Sequence, residues 1–581
     1  MTEYRIEFTE VSRRKTTVQR RETKPFLLRT NKNNKDKLSM IKIGDKIQSI
    51  YLLVIIGILV MGTGCAELKK LRQENAELLQ RYRAEEIPAP VITAANKVCV
   101  GCHRNHAPAL VKEWERSRHA QHGIGCVDCH KANPGEIDAW QHIGTWVSAL
   151  VTPKDCARCH PQEYEEFSRS HHASAGEILA SLDNVLAEKV AGLPGNIADA
   201  VNGCWQCHGS MLKFKRDFQG NILRTGKEGK PVLDPDSWPN SGMGRLNPDG
   251  SKGSCHACHS RHAFEAKLSR SPENCGKCHM GPDHPQIEIY NESKHGIAFS
   301  ANRNRMTLDK EGDWVLGKDY SAAPTCATCH IGSYMTAQGV YKGNNHDVGE
   351  RISWTLRPVV STKINLVIYE DGYKEDYPEK KPLPKIGEEV QTLEKVYENE
   401  NLVNKTVPRR VAKIITWQER REKMKGACLN CHNNTYVDNF YKQFDDLVIL
   451  YNEKFAKPAQ ALMNELISDG ILNSRAPFEH EVQWVFWELW HHEGRRARHG
   501  ASMMGPDYTH WHGMYEVSKN YYMKFLPAVI KAAEQKSQEM KLKYEKKIDA
   551  MFTQDEHLWK KGLSPEEVEE LRKTYQERYS Q

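Results

Sequence analysis

The spacing of hydrophobic residues divides the 581-residue chain into unlike segments. Residues 1–39 are polar and basic and carry no apolar period, which is the composition of a disordered segment. Residues 50–61 form one continuous apolar run. From residue 66 to residue 86 the larger side chains recur in steps of three and four, which predicts a helix, either a short coiled coil or a solvated linker. The residues of this pattern are Leu68, Leu71, Asn75, Leu78 and Tyr82.

The apolar run at residues 50–61 is short for a membrane span and suits the hydrophobic region of a secretion signal. Two lysines precede it, and Met40 stands where a signal peptide ordinarily begins, so the 39 residues before it can be an over-extended start. Cys65 ends a partial match to a bacterial lipobox, in which Gly62 stands where Leu is usual. A lipidated Cys65 and an uncleaved anchor helix are the two alternatives.

Helical periodicity returns after residue 435 and predicts long helices over residues 438–469, 478–498, 515–550 and 564–579. Before it, apolar segments are short and separated by Gly and Pro, and the charged residues 355–412 are typical of a surface excursion with some strand. We therefore expect a mainly α protein with little β. Its predicted parts are a disordered basic N-terminus (1–39), a signal or anchor (40–65), a helical stalk (66–90), a central catalytic domain (91–435) and a C-terminal helical domain that forms the oligomer contact (436–581).

Sixteen of the 17 cysteines belong to a repeated Cys-x-x-Cys-His unit, which leaves only Cys65 and excludes a disulfide framework. In such a unit the two thiols add across the vinyl groups of a haem and the adjacent His binds the iron. One copy also fits half of a zinc site, but eight copies that all continue with His predict eight covalently bound haem c groups. In chain order the units are Cys99, Cys102, His103; Cys126, Cys129, His130; Cys156, Cys159, His160; Cys204, Cys207, His208; Cys255, Cys258, His259; Cys275, Cys278, His279; Cys326, Cys329, His330; and Cys428, Cys431, His432.

Covalent haem changes how compartment, composition and charge are interpreted. Haem is attached outside the cytoplasm, so we expect export to the periplasm or its equivalent, with membrane association through the N-terminus. Only 39% of the residues are hydrophobic and the mean hydropathy is −0.67, so porphyrins supply much of the apolar interior. The formal charge of +7 is offset because a ferric haem with two His ligands and ionised propionates carries about −1. With no basic block interleaved by aromatics, nucleic-acid binding is not expected.

A second repeat marks histidines that are predicted to bind the other face of the irons. It consists of an aromatic residue, then Ser three positions later, then His two positions after that, then a small residue. The aromatic ring can pack on a porphyrin, and the small residue lets the backbone approach. For histidines without the full pattern, a surface position is the alternative. The predicted distal ligands are His119, His172 and His295, then His499 (half of the pattern), His262 and His346, and either His142 or His492.

The fourth unit differs from the others because Trp205 lies between its cysteines. It resembles the Cys-Trp-x-Cys-Lys motif on the catalytic haem of pentahaem nitrite reductase, with His208 in place of Lys. Together with three further segments, this unit resembles the hydroxylamine oxidoreductase family of octahaem cytochromes, which includes hydrazine dehydrogenase, over about residues 95–550. The segments run from Gly242 to Cys255, from Cys278 to His284 (Cys-His-Met-Gly-Pro-Asp-His), and from Met503 to Glu516.

The resemblance implies a mostly helical homotrimer whose fourth haem, held by Cys204, Cys207 and His208, is five-coordinate and catalytic. Asp283 and His284 match the Asp-His pair on its open face. There they would take the protons that a substrate loses on oxidation.

In oxidative members of the family, a Tyr of the neighbouring subunit is covalently fused to the active porphyrin. Tyr508 and Tyr515 both stand in the matching segment, and motif position favours Tyr508. Tyr334 is a further candidate to meet the substrate. A Tyr-linked haem is therefore expected if the protein is oxidative.

The expected activity is that of an oxidoreductase that oxidises hydroxylamine or hydrazine at the fourth haem and passes electrons through seven bis-His haems. The acceptor would be a cytochrome c or a quinone-linked carrier. Reduction of nitrite or nitric oxide to hydroxylamine or ammonia is the alternative, because the two Tyr also suit plain packing. A non-catalytic conduit with eight bis-His haems is a third hypothesis, against which Trp205 and the Asp283-His284 pair argue. Hydroxylamine and hydrazine are not distinguished by the sequence.

Overall fold

The structure is a computed structural model that describes residues 89–178, 203–398, 401–476 and 478–580. The predicted disordered segment, the signal or anchor with Cys65, and the helical stalk up to residue 88 lie outside these residues and stay predictions. Within the described ranges, no helix combines the length and the apolar composition needed to cross a bilayer.

Short helices and loops make up most of the chain between residues 94 and 330. Several helices carry a Pro in the first turn, where a missing N–H costs nothing, as at Pro153, Pro161 and Pro272. Thr325 caps the helix of the seventh unit by accepting a bond from the N–H of Thr328. The helices are Ala94–His106, Pro108–Glu115, Arg118–Gln121, Cys126–His130, Pro153–Ala157, Pro161–Ser168, Ala175–Ile178, Trp205–His208, Ala266–Arg270, Pro272–Gly276, Gln286–Glu292, Lys294–Ala301 and Cys326–His330, with 3₁₀ turns at Cys255–Ala257 and Arg303–Arg305.

Most strands of the described residues are short, but β11 and β12 span 10 and 15 residues. β1 and β2 form one hairpin, β3 and β4 another, and β5, β6 and β7 a small mixed sheet in that order. A larger sheet has the order β10-β9-β12-β11, and β8 pairs with β9. The strands are β1 Ala139–His142, β2 Thr145–Ser148, β3 Arg224–Thr225, β4 Lys230–Pro231, β5 Val315–Leu316, β6 Ser333–Met335, β7 Tyr341–Lys342, β8 Trp354–Thr355, β9 Thr362–Tyr369, β10 Lys374–Pro378, β11 Glu389–Glu398 and β12 Asn401–Ile415.

The segment expected to be a surface excursion is more ordered than its charge suggests. Val367, Tyr369 and Val411 of its inner strands are fully buried and form a small core of their own. The sheet lies against the helix Trp417–Cys428, where the side chain of Asn365 accepts a bond from the N–H of Trp417 (3.0 Å). Because this helix ends on the eighth unit, the sheet helps to position that unit.

The C-terminal helices lie close to where the periodicity predicts them. π-helical turns at Asn452–Ala456, Leu489–Glu493, His510–Tyr515 and Tyr521–Phe525 connect them end to end. The expected single helix over 515–550 is broken at Ser537, whose backbone is extended and whose hydroxyl caps the next helix at Met540 N (3.1 Å). The α-helices are Asn434–Tyr451, Lys457–Ser468, Glu481–Glu488, Gly494–Ser502, Pro506–Thr509, Glu516–Asn520, Leu526–Lys536, Gln538–Met551 and Pro565–Tyr579, with a 3₁₀ segment at Asp555–Lys561.

The main core of the described residues belongs to these C-terminal helices, and Phe525 lies near its centre. We expect Phe525→Ala to lower the free energy of unfolding by about 3–5 kcal/mol, because its ring is fully buried against Phe486 and Tyr521. Thermal unfolding of the haem-loaded protein measures this. Met523→Ala is the matched control, since Met523 is 66% exposed and its loss should change stability by about 0.5 kcal/mol or less. Equal melting temperatures for the two variants would contradict the placement of Phe525.

Candidate active site

The fourth unit is held by close backbone packing. The N–H groups of Met243 and Gly244 donate to the carbonyls of Cys207 and His208 (both 2.9 Å). Gly209 follows the unit with φ +81°, and a Cβ there would collide with the backbone of Arg245. A Cβ on Gly242 would collide with Gly209 in turn. The Gly-x-Gly of the segment that starts at residue 242 is therefore explained by two chain segments that touch through their backbones.

Asp283 and His284 lie beside this unit. The centroid of the His284 ring is 6.4 Å from that of His208. Nε2 of His284 is 3.5 Å from Oδ2 of Asp283, which is also 3.5 Å from Nη1 of Arg495. Nδ1 of His284 is buried and makes no hydrogen bond within the described structure. One ring nitrogen is thus held next to a carboxylate and the other is left free for a ligand.

Burial is the main cause of the lowered pKa of His208, and the charges of His284 and Arg357 lower it further. A hydrogen bond with the carbonyl of Ala175 (3.2 Å from Nδ1) opposes this shift, as does the charge of Asp283. His208 is therefore neutral near pH 7, with Nδ1 as the hydrogen-bond donor and Nε2 free to bind a metal.

Five other unit histidines face a second histidine at nearly constant spacing. A metal bound by two opposed imidazoles needs ring centroids about 6 Å apart, because each metal–nitrogen bond is about 2 Å. Burial also lowers the pKa of His172 to about 3 and the pKa of His259 to about 4, which keeps their lone pairs available. The side chains present therefore fit an iron between each pair. The pairs are His103–His142 (6.2 Å), His160–His119 (6.3 Å), His259–His346 (6.5 Å), His279–His172 (6.0 Å) and His432–His295 (6.1 Å).

The repeated aromatic-Ser-His pattern has a structural reason. Ser117 and Ser293 cap the following helices by accepting bonds from Ala120 N (3.1 Å) and Gly296 N (3.2 Å), so the His sits in the first turn. The preceding aromatic residues, Trp114 and Tyr290, are buried. In the third copy the Ser170 hydroxyl donates to the carbonyl of Phe167 (2.6 Å), a bond that Ser293 also makes to the carbonyl of Tyr290 (2.7 Å).

The other proposed distal ligands are less regular. Burial lowers the pKa of His130 to about 4, and the charge of His262 is the next contribution, so His262 lies near the second unit. Nε2 of His499 is buried with no hydrogen bond among the described residues. Burial lowers the pKa of His499, and the charges of Arg498 and Arg495 come next, followed by two histidines, His284 and His279, so it has no single histidine partner. Of the two candidates for the seventh place, His142 faces His103, whereas His492 packs against Trp487 (4.8 Å).

The cysteines define which units are neighbours. The Cys207 thiol, as a hydrogen-bond partner, raises the pKa of Cys278, so the fourth unit lies beside the sixth. Cys255 raises the pKa of Cys156 in the same way, so the third unit lies beside the fifth. The fourth unit is thus a branch on a row formed by units one, two, three, five, six, seven and eight. Cys275 and Cys326 also share a hydrogen bond. Charge interactions relate the other neighbouring units through the pairs Cys99–Cys126, Cys129–Cys156, Cys258–Cys275 and Cys329–Cys428.

Comparison with known proteins agrees with this geometry. A family model described as "Seven times multi-haem cytochrome CxxCH" matches residues 248–378, and one described as "Cytochrome c554 and c-prime" matches residues 155–225. The chain is a multihaem cytochrome c. Its c-type haems are bound covalently, and cytochromes of this class are typically exported.

The predicted resemblance to the hydroxylamine oxidoreductase family is also confirmed. The cytochrome is 24% identical over 434 residues to a probable nitrite reductase-hydroxylamine oxidoreductase fusion protein of Kuenenia stuttgartiensis, which covers 69% of this chain. It spans only 40% of the length of that relative.

Two solved structures are similar. A hypothetical multiheme protein has a TM-score of 0.61 and 24% identity over 79% of the cytochrome and 99% of that chain, which indicates a shared fold. A chain of the Kuenenia stuttgartiensis reducing HAO-like protein complex has a TM-score of 0.48 and 18% identity over 76% of the cytochrome and 85% of that chain.

The candidate tyrosines of the cytochrome lie in different surroundings. The N–H of Tyr508 donates to Glu292 Oε1 (3.2 Å), which ties its segment to the helix that follows His284. Tyr515 is exposed and its ring is 5.2 Å from that of Trp511. Tyr334 is buried elsewhere, with its hydroxyl donating to the carbonyl of Lys423 (3.0 Å). None of the described contacts of Tyr334 is with His208.

Sequence reasoning missed two arginines of the cytochrome beside this site. Arg495 lies next to Asp283, and its Nε donates to the carbonyl of Arg357 (3.1 Å). The charge of Arg357 acts on both His208 and His172. Neither residue belongs to a motif, and each reaches the site only because distant helices and loops pack together. No signal in the sequence alone identifies them.

Proposed function

We propose that the cytochrome oxidises hydroxylamine or hydrazine at its fourth unit and carries eight haem c groups, seven of them for electron transfer. The observation that carries this proposal is the Asp283-His284 pair opposite His208, with one ring nitrogen of His284 buried and free. A haem at this unit would supply an iron that binds the substrate nitrogen and accepts its electrons.

The protein's own groups would handle the protons. Nδ1 of His284 is free to accept a proton from the N–H or O–H of the substrate. The carboxylate of Asp283, 3.5 Å from Nε2, would then stabilise the imidazolium. Nη1 of Arg495 lies 3.5 Å from the same oxygen of Asp283, so this carboxylate has two basic neighbours.

Electrons would leave through the sixth unit, which lies beside the fourth, and then along the row of units. The proposed acceptor is a cytochrome c or a quinone-linked carrier. We also propose a homotrimer, a periplasmic location and membrane attachment through the N-terminal residues.

A specific observation favours a second candidate, reduction of nitrite. Arg357 and Arg495 place positive charge near His208 and His284, which suits an anionic substrate better than a neutral nitrogen hydride. The curated relative also carries nitrite reductase in its name. In this direction the same Asp283-His284 pair would deliver protons instead of removing them.

The spacing of His284 and His208 favours a third candidate, electron transfer alone. At 6.4 Å the two rings are as far apart as the five ligand pairs, so His284 also fits an iron ligand. The carboxylate of Asp283 does not distinguish it, because His142 and His346 also lie next to carboxylates.

Steady-state turnover separates the three candidates. With cytochrome c as acceptor, we expect hydroxylamine or hydrazine to reduce it faster with the wild type than with Cys207→Ser, which cannot hold its fourth haem by two thioethers. Turnover of nitrite with a reduced viologen dye, without oxidation of either hydride, would support the reductive candidate. If no turnover is observed in either direction, the result would support the third candidate, electron transfer alone.

A further inference from the structure

The histidine that faces the first unit is held by a carboxylate on another hairpin. His142 ends β1, and its Nδ1 is 2.9 Å from Oε2 of Glu228, which lies in the turn between β3 and β4. Oε1 of the same carboxylate accepts a bond from the N–H of Ile143 (3.1 Å). Both carboxylate oxygens of Glu228 therefore take part in hydrogen bonds, and the bond to Nδ1 fixes the orientation of the His142 ring.

Two histidines of the units have a neutral carbonyl at Nδ1 instead of a carboxylate. Nδ1 of His208 contacts the carbonyl of Ala175 (3.2 Å), and Nδ1 of His330 contacts the carbonyl of Val348 (3.3 Å). A carboxylate is a charged acceptor and binds an imidazole N–H more strongly than a neutral carbonyl does. It also makes the opposite ring nitrogen a better electron donor to a metal.

We propose that Glu228 lowers the reduction potential of the haem at the first unit by hydrogen bonding to His142. The ring of His142 lies 6.2 Å from that of His103, and its Nδ1 is used by Glu228, so Nε2 is the nitrogen that would bind an iron there. A more basic ligand and a nearby negative charge both stabilise the ferric state over the ferrous state.

The position of His142 and Glu228 indicates how a low reduction potential at the first unit would serve electron transfer. The side chains of His142 and Glu228 are 35% and 41% exposed, and the first unit stands at one end of the row of units. Lys227 and Lys230 line the concave surface beside Trp140. A low-potential haem at an exposed end readily gives its electron to an external acceptor, a consequence that rests on the proposed function. The potential itself does not depend on which substrate is used.

The test is a spectroelectrochemical titration of the haem-loaded protein without substrate. In Glu228→Gln we expect one component to move to a more positive potential and the others to stay unchanged, with a changed low-spin signal in electron paramagnetic resonance. Glu228→Asp keeps the charge but shortens the side chain, so a smaller shift in the same direction is expected.

Asp217→Asn is the matched control, because Asp217 is a carboxylate in the turn before β3 and its side chain accepts bonds within that turn, from Gln219 and Asn221. It should leave every component in place. An unchanged titration of Glu228→Gln, an equal shift in Asp217→Asn, or a new high-spin signal that reports loss of His142 would each overturn the proposal. Because no substrate is present, these outcomes are independent of whether the cytochrome oxidises hydroxylamine.

Discussion

Replacing His284 with glutamine is expected to lower turnover about 10²- to 10⁴-fold, the usual contribution of a positioned proton acceptor. The physical reason is that glutamine keeps much of the volume of the side chain but cannot accept a proton near pH 7. In the wild type, Nδ1 of His284 is buried and free while Nε2 lies near Asp283. Stopped-flow reduction of the haems by hydroxylamine, or oxidation of the reduced haems by nitrite, measures the step directly.

The same variant decides whether His284 is a proton acceptor or an iron ligand. If it is an acceptor, the wild type already shows a high-spin signal from an open iron, and His284→Gln keeps that signal unchanged. If it is a ligand, the wild type is entirely low-spin and the variant gains a high-spin signal. That second result would contradict the active-site proposal and support a conduit. His122→Gln is the control, because His122 is exposed and is not a proposed ligand.

Asp283 should matter less than His284 if its role is to stabilise a charge. Asp283→Asn keeps an oxygen near Nε2 of His284 but removes the negative charge, which also lies near Arg495. A smaller loss of turnover than in His284→Gln is therefore consistent with the proposed division of roles.

Local features of this cytochrome could be predicted from the sequence because their signals are local. The Cys-x-x-Cys-His units need residues within one turn, and the long C-terminal helices need only a period of 3.6. The aromatic-Ser-His pattern marks a buried ring and, in two of its three copies, a helix cap, which fixes the following His in place. The helix break at Ser537 was missed because the apolar period continues across it.

Pairing between distant residues could not be predicted. His346 faces His259 and His295 faces His432, although the partners are far apart in sequence. His142 lies on a β-hairpin and carries none of the pattern that marks His119. The carboxylate that bonds to His142 and the arginines near His208 likewise depend on how loops from separate segments pack. Tertiary contacts of this kind produce no periodic pattern in the sequence.

If the proposed oxidative activity depends on a tyrosine linked to the porphyrin of the fourth unit, substituting that tyrosine is expected to abolish the proposed covalent trimer and the oxidative activity together. Motif position favours Tyr508, but exposure favours Tyr515. A side chain that reaches a neighbouring subunit must project from its own surface. Tyr515 is 51% exposed beside Trp511, which is 56% exposed, whereas the backbone of Tyr508 is tied to Glu292 of the same chain. We therefore expect Tyr515→Phe to have the larger effect.

Two measurements check this expectation. A denaturing gel should show a trimer band for the wild type and for Tyr508→Phe, and only monomer for Tyr515→Phe. The dithionite-reduced spectrum should lose a far-red-shifted band in the same variant, because the link that distorts the porphyrin is gone. The reverse pattern would assign the link to Tyr508. Monomer bands and ordinary c-haem spectra for all three proteins would exclude a Tyr-linked haem, and the positive charge of Arg357 and Arg495 would then make nitrite reduction the better proposal.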